Sequence, residues 1–269
     1  MKKTIRGMLL GCSTLLGTML ACLMPALAQA EQFDIVGLKP GMTEPEVIAA
    51  IKAHDPTMKI TSFQSQYNYS DGVQSFQTAP FLSKIEASQT KYNPMETLYP
   101  AKIAIWFTPP PQGGRVWGIE RKEYLSNKNP PTVSQYADAL IKKYGNPTVA
   151  PRNNTALSWD FPAEKPNCIL QVPDRPGYPA YRPSSNDDLG FLLNLWQQRK
   201  LITTKDLSIC ASRLHYLLSS SGDVLDSFQA IMFDVGLYST ANDAANHEVK
   251  ALEDKARKVR ESKGQTPKL

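Results

Sequence analysis

The residues from which metal and nucleophilic sites are usually built are scarce in this sequence. Its 269 residues include only three histidines and four cysteines, and no two histidines stand at a metal-binding spacing. His-Glu-x-x-His, Gly-x-Ser-x-Gly, a phosphate-binding glycine loop and a dinucleotide fingerprint are all missing. We therefore expect no cofactor, no resident metal and no catalytic set of a common kind.

An excess of one charge is also missing from most of the chain. The formal net charge is +5, but residues 1–30 contribute three basic residues and no acidic one. Residues 247–269 hold seven basic and four acidic residues, which leaves 20 basic against 21 acidic residues in 31–246. A nucleic-acid-binding surface is strongly basic, so we expect no nucleic-acid partner.

Long apolar runs are lacking everywhere except at the N-terminus. There a basic start precedes an apolar stretch and a small-residue site: Lys2, Lys3, Arg6, residues 8–24, Pro25 and Ala28-Gln29-Ala30. This order predicts a secretory signal peptide over residues 1–30, cleaved after Ala30, and a periplasmic or secreted protein. No other run approaches the roughly 18 residues of a membrane span, so we expect no stable membrane insertion.

Two alternatives use the same N-terminal run. The run could remain as an uncleaved anchor, although Pro25 and the small-residue site that follows argue for removal. Met19-Leu20-Ala21-Cys22 also resembles a lipobox, which would attach a lipid to Cys22. The lipobox match is poor because the residues after Cys22 are still apolar rather than polar.

Cysteine use fits export. Cys12 and Cys22 lie within the predicted signal peptide, which leaves an even pair, Cys168 and Cys210, in the mature chain. An even pair in an oxidising compartment favours a disulfide bond. We predict that Cys168 and Cys210 are bridged.

Two helix patterns divide the mature chain. Thr43 and Glu46 form a capping-box pattern before a short apolar stripe, which predicts a helix ending near His54. From Thr132 the apolar residues follow helical spacing until Gly145, a typical helix end. Strand-like segments follow each helix, and the turn at residues 109–114 predicts a hairpin between residues 101–107 and 115–124.

The order of helix and then strands, found twice, predicts an α+β fold. We expect two helix-plus-antiparallel-sheet modules in tandem, residues 31–128 and 129–240, with a proline-rich insertion at 162–188 in the second. Residues 241–263 predict a C-terminal helix with a narrow apolar stripe, followed by a polar tail to residue 269. A stripe this narrow favours a helix that is solvated or loosely docked.

The first helix region resembles a known family. Gly41-Met42-Thr43-x-x-Glu46-Val47 is similar to the opening of SmpA/OmlA modules, small outer-membrane lipoproteins associated with β-barrel assembly. Tyr144-Gly145-Asn146-Pro147, followed by Trp159 and Cys168, resembles second modules in a tandem arrangement like that of β-lactamase inhibitor protein. The resemblance covers about residues 33–161 and implies a binding or assembly role without catalysis.

Aromatic residues suggest a partner-binding surface. Alternation in strand 101–107 places Trp106 on the face opposite Ile103, Ile105 and Phe107. If Trp117 shares that face, an aromatic and arginine patch follows, consisting of Trp106, Trp117, Arg115, Arg121 and Tyr124. Alternatively, Trp117 and Trp159 belong to the core and the C-terminal helix covers Trp106, and a slip of one residue in register would reverse the face of Trp117.

The remaining signals for chemistry are weak. Ser88-Gln89-Thr90-Lys91 matches Ser-x-x-Lys by chance composition, because no Lys-Thr-Gly partner exists. His215 is the only histidine around which a triad could be drawn, near Ser219–Ser221 and Asp223. We interpret His215 as a half-buried strand residue.

The function predicted from these patterns is an exported, non-enzymatic binding, inhibitory or envelope-assembly module whose partner is an envelope protein. A periplasmic hydrolase of a cell-wall or carbohydrate substrate is the alternative. The basic C-terminal helix could also rest on anionic membrane or wall polymer.

Overall fold

A computed structural model describes residues 33–89, 101–125, 129–150, 155–168 and 206–264, which form an α+β fold. The helices are α1 (Glu44–His54), α2 (Val133–Tyr144) and α3 (Val235–Ser262), with a 3-10 helix at Leu207–Ile209. The strands are β1 (Lys59–Ser65), β2 (Asn68–Ser70), β3 (Ser75–Gln77), β4 (Phe81–Ser88), β5 (Ala101–Phe107), β6 (Val116–Tyr124), β7 (Ala156–Phe161), β8 (Ser212–Ser221) and β9 (Val224–Phe233). The predicted signal peptide, Cys22 and most of the proline-rich insertion lie outside the described residues.

The first two helices both begin with a capping box, of which the sequence predicts the one at Thr43. The Thr43 N–H donates to Glu46 Oε2 at 2.7 Å at the start of α1. At α2, the Gln135 N–H donates to Thr132 Oγ1 at 3.2 Å, and the Thr132 N–H donates to Gln135 Oε1 at 2.9 Å. These bonds satisfy backbone donors that have no partner within a helix. Gly145 then ends α2 with a φ of 81°, a value that a side chain would disfavour.

Seven strands form one antiparallel sheet in the order β1-β4-β5-β6-β9-β8-β7. The set β1-β4-β5-β6 follows α1, and the set β7-β8-β9 follows α2. The two sets meet where β6 pairs with β9, in a register that joins Gly118 to Phe233 and Tyr124 to Ser227. The predicted hairpin between β5 and β6 is confirmed. Strands β2 and β3 form a separate small hairpin within the connection from β1 to β4.

Helices α1 and α2 pack on one face of the sheet, which we call the helix-covered face. Val47 and Ile51 of α1, and Ala137 and Leu140 of α2, are buried in the same core as Ile103, Ile105, Leu214 and Met232 of the strands. Removing one large aliphatic side chain such as Ile51 from water stabilises the fold by about 1.5–3 kcal/mol. This core joins both strand sets into one hydrophobic unit.

Helix α3 lies against the opposite face of the sheet. It begins at Val235, earlier than the expected residue 241, because Asp234 caps it: the Leu237 N–H donates to Asp234 Oδ1 at 2.8 Å. Its 28 residues span about 42 Å and contact the 3-10 helix, β6 and β2. Val235, Ala241 and Ala245 are buried, so the first half of the helix is docked rather than solvated or loosely attached.

No helix in the described part of the chain combines the length and the apolar composition that crossing a membrane requires.

Candidate functional site

The two tryptophans of the predicted patch share one sheet face, and helix α3 covers them. Trp106 and Trp117 have ring centroids 6.3 Å apart, and their exposed fractions are only 9% and 5%. The register shifts between Trp106 and Phe107, so that Trp117 has no direct partner on β5. Trp117 contacts Tyr238 of α3, with ring centroids 4.5 Å apart. Both indoles therefore pack the helix onto the sheet and are not available to a partner in this conformation.

The other three residues of that patch lie elsewhere. The exposed Arg115 stands just before β6, where its guanidinium donates to the Gly41 carbonyl at 3.2 Å. Arg121 lies over the ring of Phe228 at 5.2 Å, on the helix-covered face, because alternation along β6 turns it away from α3. Tyr124 is 49% exposed at the end of β6. The structure therefore separates the five residues instead of joining them in one surface.

Cys168 and Cys210 lie at disulfide distance, as predicted. Their Cα atoms are 5.6 Å apart and the S–S distance is 2.11 Å. Both are buried in the same cluster as Trp106, Trp117 and Val235. The bond connects the segment after β7 to the C-cap of the 3-10 helix. The first turn of α3 packs against this 3-10 helix.

His215 forms a cross-strand pair with Ser158. The distance from Ser158 Oγ to His215 Nδ1 is 2.6 Å, whereas Ser219–Ser221 lie exposed at the far end of β8. Burial of the imidazole, followed by the charge of Arg213, lowers the pKa of His215 from 6.5 to about 4. Arg213 forms an ion pair with Asp160, with Nε to Oδ1 at 2.7 Å. The Asp160 carboxylate is therefore already bound to Arg213.

His54 and His247 lie in α1 and α3, far along the chain from His215. In the described ranges, no group of three histidine, cysteine, aspartate or glutamate residues could hold a metal ion.

A cleft of about 520 Å³ lies between the β2–β3 hairpin and the second half of α3. We call it the hairpin cleft. Its described lining residues are Tyr69, Asp71, Val73, Gln74 and Phe76 of the hairpin, Leu252, Lys255, Ala256, Val259 and Arg260 of α3, and Lys263 at the C-cap of that helix. The five helix residues are spaced i, i+3, i+4, i+7 and i+8, so they form one face of α3, and Lys263 continues that face at i+11.

The hairpin wall of the cleft is aromatic. Tyr69 and Phe76 are register partners across β2 and β3, so their side chains lie on the same face. Their rings stack with centroids 5.4 Å apart and planes inclined by 24°. Both residues are half-buried. Val73 at the hairpin turn is 76% exposed.

The turn of the hairpin is built around Asp71. Its carboxylate accepts the N–H groups of Val73 and Gln74, both at 2.7 Å. These bonds, assisted by the nearby charge of Arg260, lower the pKa of Asp71. Gly72 has a φ of 94°, and a Cβ there would lie 3.1 Å from Arg260 Nη1. Glycine therefore allows the turn and lets the arginine pack against it.

The helix wall carries positive charge. Three described lining residues are cationic: Lys255, Arg260 and Lys263. Arg260 Nη2 lies 3.6 Å from Glu261 Oε1. Lys250 and Arg257, which do not belong to this lining, form ion pairs with Asp254. Lys255 and Lys263 form no ion pair with any residue that the structure describes. Since Asp71 is the only acidic residue among the described residues of the lining, these residues combine an apolar, aromatic interior with a net positive charge.

None of the residues predicted to bind a partner lines the hairpin cleft. The sequence predicts the C-terminal helix and its stripe of Leu252, Ala256 and Val259, but no binding site on it. Tyr69 and Phe76 were missed because β2 and β3 have only three residues each, too few for alternation to be detected. The Asp71-Gly72 pair was the available signal, since it is typical of a hairpin turn.

Comparisons with protein-family models, curated proteins and solved structures found no match to this chain.

Proposed function

We propose that this protein is an exported, non-enzymatic binding module of the cell envelope, and that the hairpin cleft binds a segment of an envelope protein. The observation that carries the proposal is the cleft itself. Its volume of about 520 Å³ lies within the roughly 300–1,000 Å³ of small-ligand sites. A recess of this size accommodates one or two anchoring side chains of a partner.

The composition of the cleft supports a role in binding. Tyrosine and arginine are enriched among the residues that dominate binding energy, and the cleft lining contains Tyr69 and Arg260. Tyr69 and Phe76 are only half-buried, and Val259 at the mouth of the cleft is 46% exposed. Part of the apolar surface of these three side chains is therefore accessible to a ligand in the cleft.

Export is the second part of the proposal. The Cys168–Cys210 bond fits an oxidising compartment, and the N-terminal pattern at residues 1–30 supports delivery by a cleaved signal peptide. The mass of the protein isolated from the envelope tests this directly. We expect an N-terminus at Glu31; a lipid-modified N-terminus at Cys22 would contradict it.

The module type is the third part. Each helix precedes an antiparallel strand set, and the two sets share one sheet. This order supports the proposed likeness to tandem SmpA/OmlA-type modules, for which binding and assembly roles are expected. Fold alone does not define function, so the cleft must be tested.

Cleft blocking is the direct test. Ala256→Trp places an indole in the hairpin cleft, and Ala251→Trp places the same side chain on an exposed helix position that does not line it. The oxidised protein and both variants are immobilised and exposed to an envelope extract. We expect a saturable partner to be retained by the wild type and Ala251→Trp and lost with Ala256→Trp. Equal retention by all three proteins would contradict the proposal.

The hydrolase alternative rests on the Ser158–His215 contact. A neutral imidazole 2.6 Å from a hydroxyl is the arrangement of a general base and a nucleophile. However, Ser158 is only 4% exposed. Hydrolysis of p-nitrophenyl acetate by the wild type, lost in both Ser158→Ala and His215→Gln, would favour this alternative over the binding module.

A further inference from the structure

The lining of the hairpin cleft points to the chemistry of its occupant. We infer that the cleft binds an acidic peptide segment that inserts one aromatic or aliphatic side chain between the hairpin and α3. This inference rests on the proposed function and specifies the ligand of that same site.

The interior suits a single apolar anchor. One wall presents the stacked rings of Tyr69 and Phe76, and the other presents Leu252 and Ala256 on one helix face. Both walls are half-buried, so an inserted side chain would remove further apolar surface from water on two sides. An aromatic anchor would also gain ring contacts beyond the area that it buries.

The charges select for an acidic segment. Lys255 and Lys263 lie two helical turns apart on the cleft-lining face, and neither forms an ion pair with a described residue. Asp71, the one acid in the described part of the lining, is 6% exposed and binds its own turn, so it cannot neutralise both lysines. Acidic residues on either side of an inserted anchor would therefore meet two available ammonium groups.

The shape favours a peptide over a lipid surface. Tyr69, Phe76, Leu252 and Ala256 line a recess between two elements. A membrane-bound helix, in contrast, projects its apolar residues outward into the lipid. A flat anionic bilayer would meet the lysines but not the rings. An extended segment with one projecting side chain can reach both.

The test is a peptide-binding titration with the purified oxidised protein. The probe is a fluorescein-labelled peptide, Gly-Asp-Glu-Phe-Glu-Asp-Gly, followed by fluorescence anisotropy. A second peptide replaces Phe with Gly, a third replaces all four acids with Lys, and a fourth replaces them with Ser. We expect only the first to bind well, with the anchor and the acidic groups each contributing about tenfold or more in Kd.

Matched variants locate the binding. Lys255→Glu combined with Lys263→Glu should raise the Kd of the acidic peptide about tenfold or more. Lys258→Glu, on the same helix but outside the cleft lining, should change it less than about threefold. Ala256→Trp should abolish binding and Ala251→Trp should not. Thermal unfolding of each variant identifies any that fails to fold, and Lys255→Gln with Lys263→Gln then replaces the doubly reversed variant.

Three results would overturn the inference. Equal binding of the acidic and serine peptides would show that charge plays no part. Equal effects of Lys258→Glu and the cleft variants would move the site elsewhere. Binding of phosphatidylglycerol vesicles without binding of the acidic peptide would show that the basic helix meets lipid instead. If Ala256→Trp still loses the envelope partner while the acidic peptide fails, the proposed function stands and only the ligand chemistry is wrong.

Discussion

Trp117 of β6 and Tyr238 of α3 lie in contact, with their ring planes inclined by 48°. The contact ties the middle of the sheet to the start of the C-terminal helix, where Val235 is also buried. Since the second half of α3 forms one wall of the hairpin cleft, the position of that wall depends on packing at the other end of the helix.

Trp117→Ala should destabilise the protein by about 3–5 kcal/mol. The change removes a large buried side chain and leaves a cavity between β6 and α3. Tyr124→Ala, at an exposed position of the same strand, should stay within about 0.5 kcal/mol of the wild type. Urea unfolding measures both. A small effect of Trp117→Ala would show that α3 is not held by this contact.

Loss of the disulfide should also destabilise the protein. Bridging residues 42 positions apart is worth about 4 kcal/mol on the chain-entropy model. We expect reduction by dithiothreitol to lower the unfolding free energy by that order. The double variant Cys168→Ala, Cys210→Ala should match the reduced wild type and should not respond to dithiothreitol. An unchanged midpoint on reduction would contradict the expectation.

Gly236→Ala should destabilise the protein although alanine is the better helix former. A Cβ at residue 236 would lie 2.9 Å from the Ser208 carbonyl oxygen, a backbone atom of the 3-10 segment. Overpacking of this kind costs about 1–3 kcal/mol. Thr240→Ala, at an exposed site of the same helix, should instead stabilise by a few tenths of a kcal/mol. Thermal unfolding compares the two; stabilisation by both substitutions would show that α3 does not approach the 3-10 helix so closely.

The protein should become less stable as the pH is lowered, because of His215. Its pKa is lowered from 6.5 to about 4 in the folded protein, so between these values the unfolded chain binds a proton that the folded chain does not. The unfolding free energy should therefore decrease as the pH falls from about 6.5 to about 4, by up to about 3 kcal/mol. His215→Gln should show a shallower pH dependence over this window. If the unfolding free energies of wild type and variant have equal slopes against pH, His215 is not the cause of the pH dependence.

Local signals in the sequence were sufficient for some elements. The capping-box pattern at Thr43 predicted the start of α1, and the apolar spacing from Thr132 to Gly145 predicted α2. The six-residue turn predicted the β5–β6 hairpin. The disulfide pair followed from arithmetic on the cysteines. In each case the determining residues lie close together in sequence or are few enough to leave one choice.

Nonlocal features could not be predicted in the same way. The face of Trp117 depends on a register shift beside Trp106, which no pattern within β6 reveals. Strand β4 was missed because only Ile85 and Ala87 are buried on it, a weak alternation. The docking of α3 depends on Leu207 and Cys210, which come close to the helix only through tertiary packing.

The pairing of β6 with β9 has a consequence for how the protein is made. Gly118 and Phe233 are partners in the centre of the sheet, yet more than a hundred residues separate them along the chain. Contacts of such long sequence separation form slowly, since a large loop must close first. During synthesis, β5 and β6 can pair as a local hairpin, while the outer edge of β6 stays unpaired until the chain has emerged as far as β9. For that interval the exposed strand edge is open to pairing with other chains, and β9 is the strand that closes it.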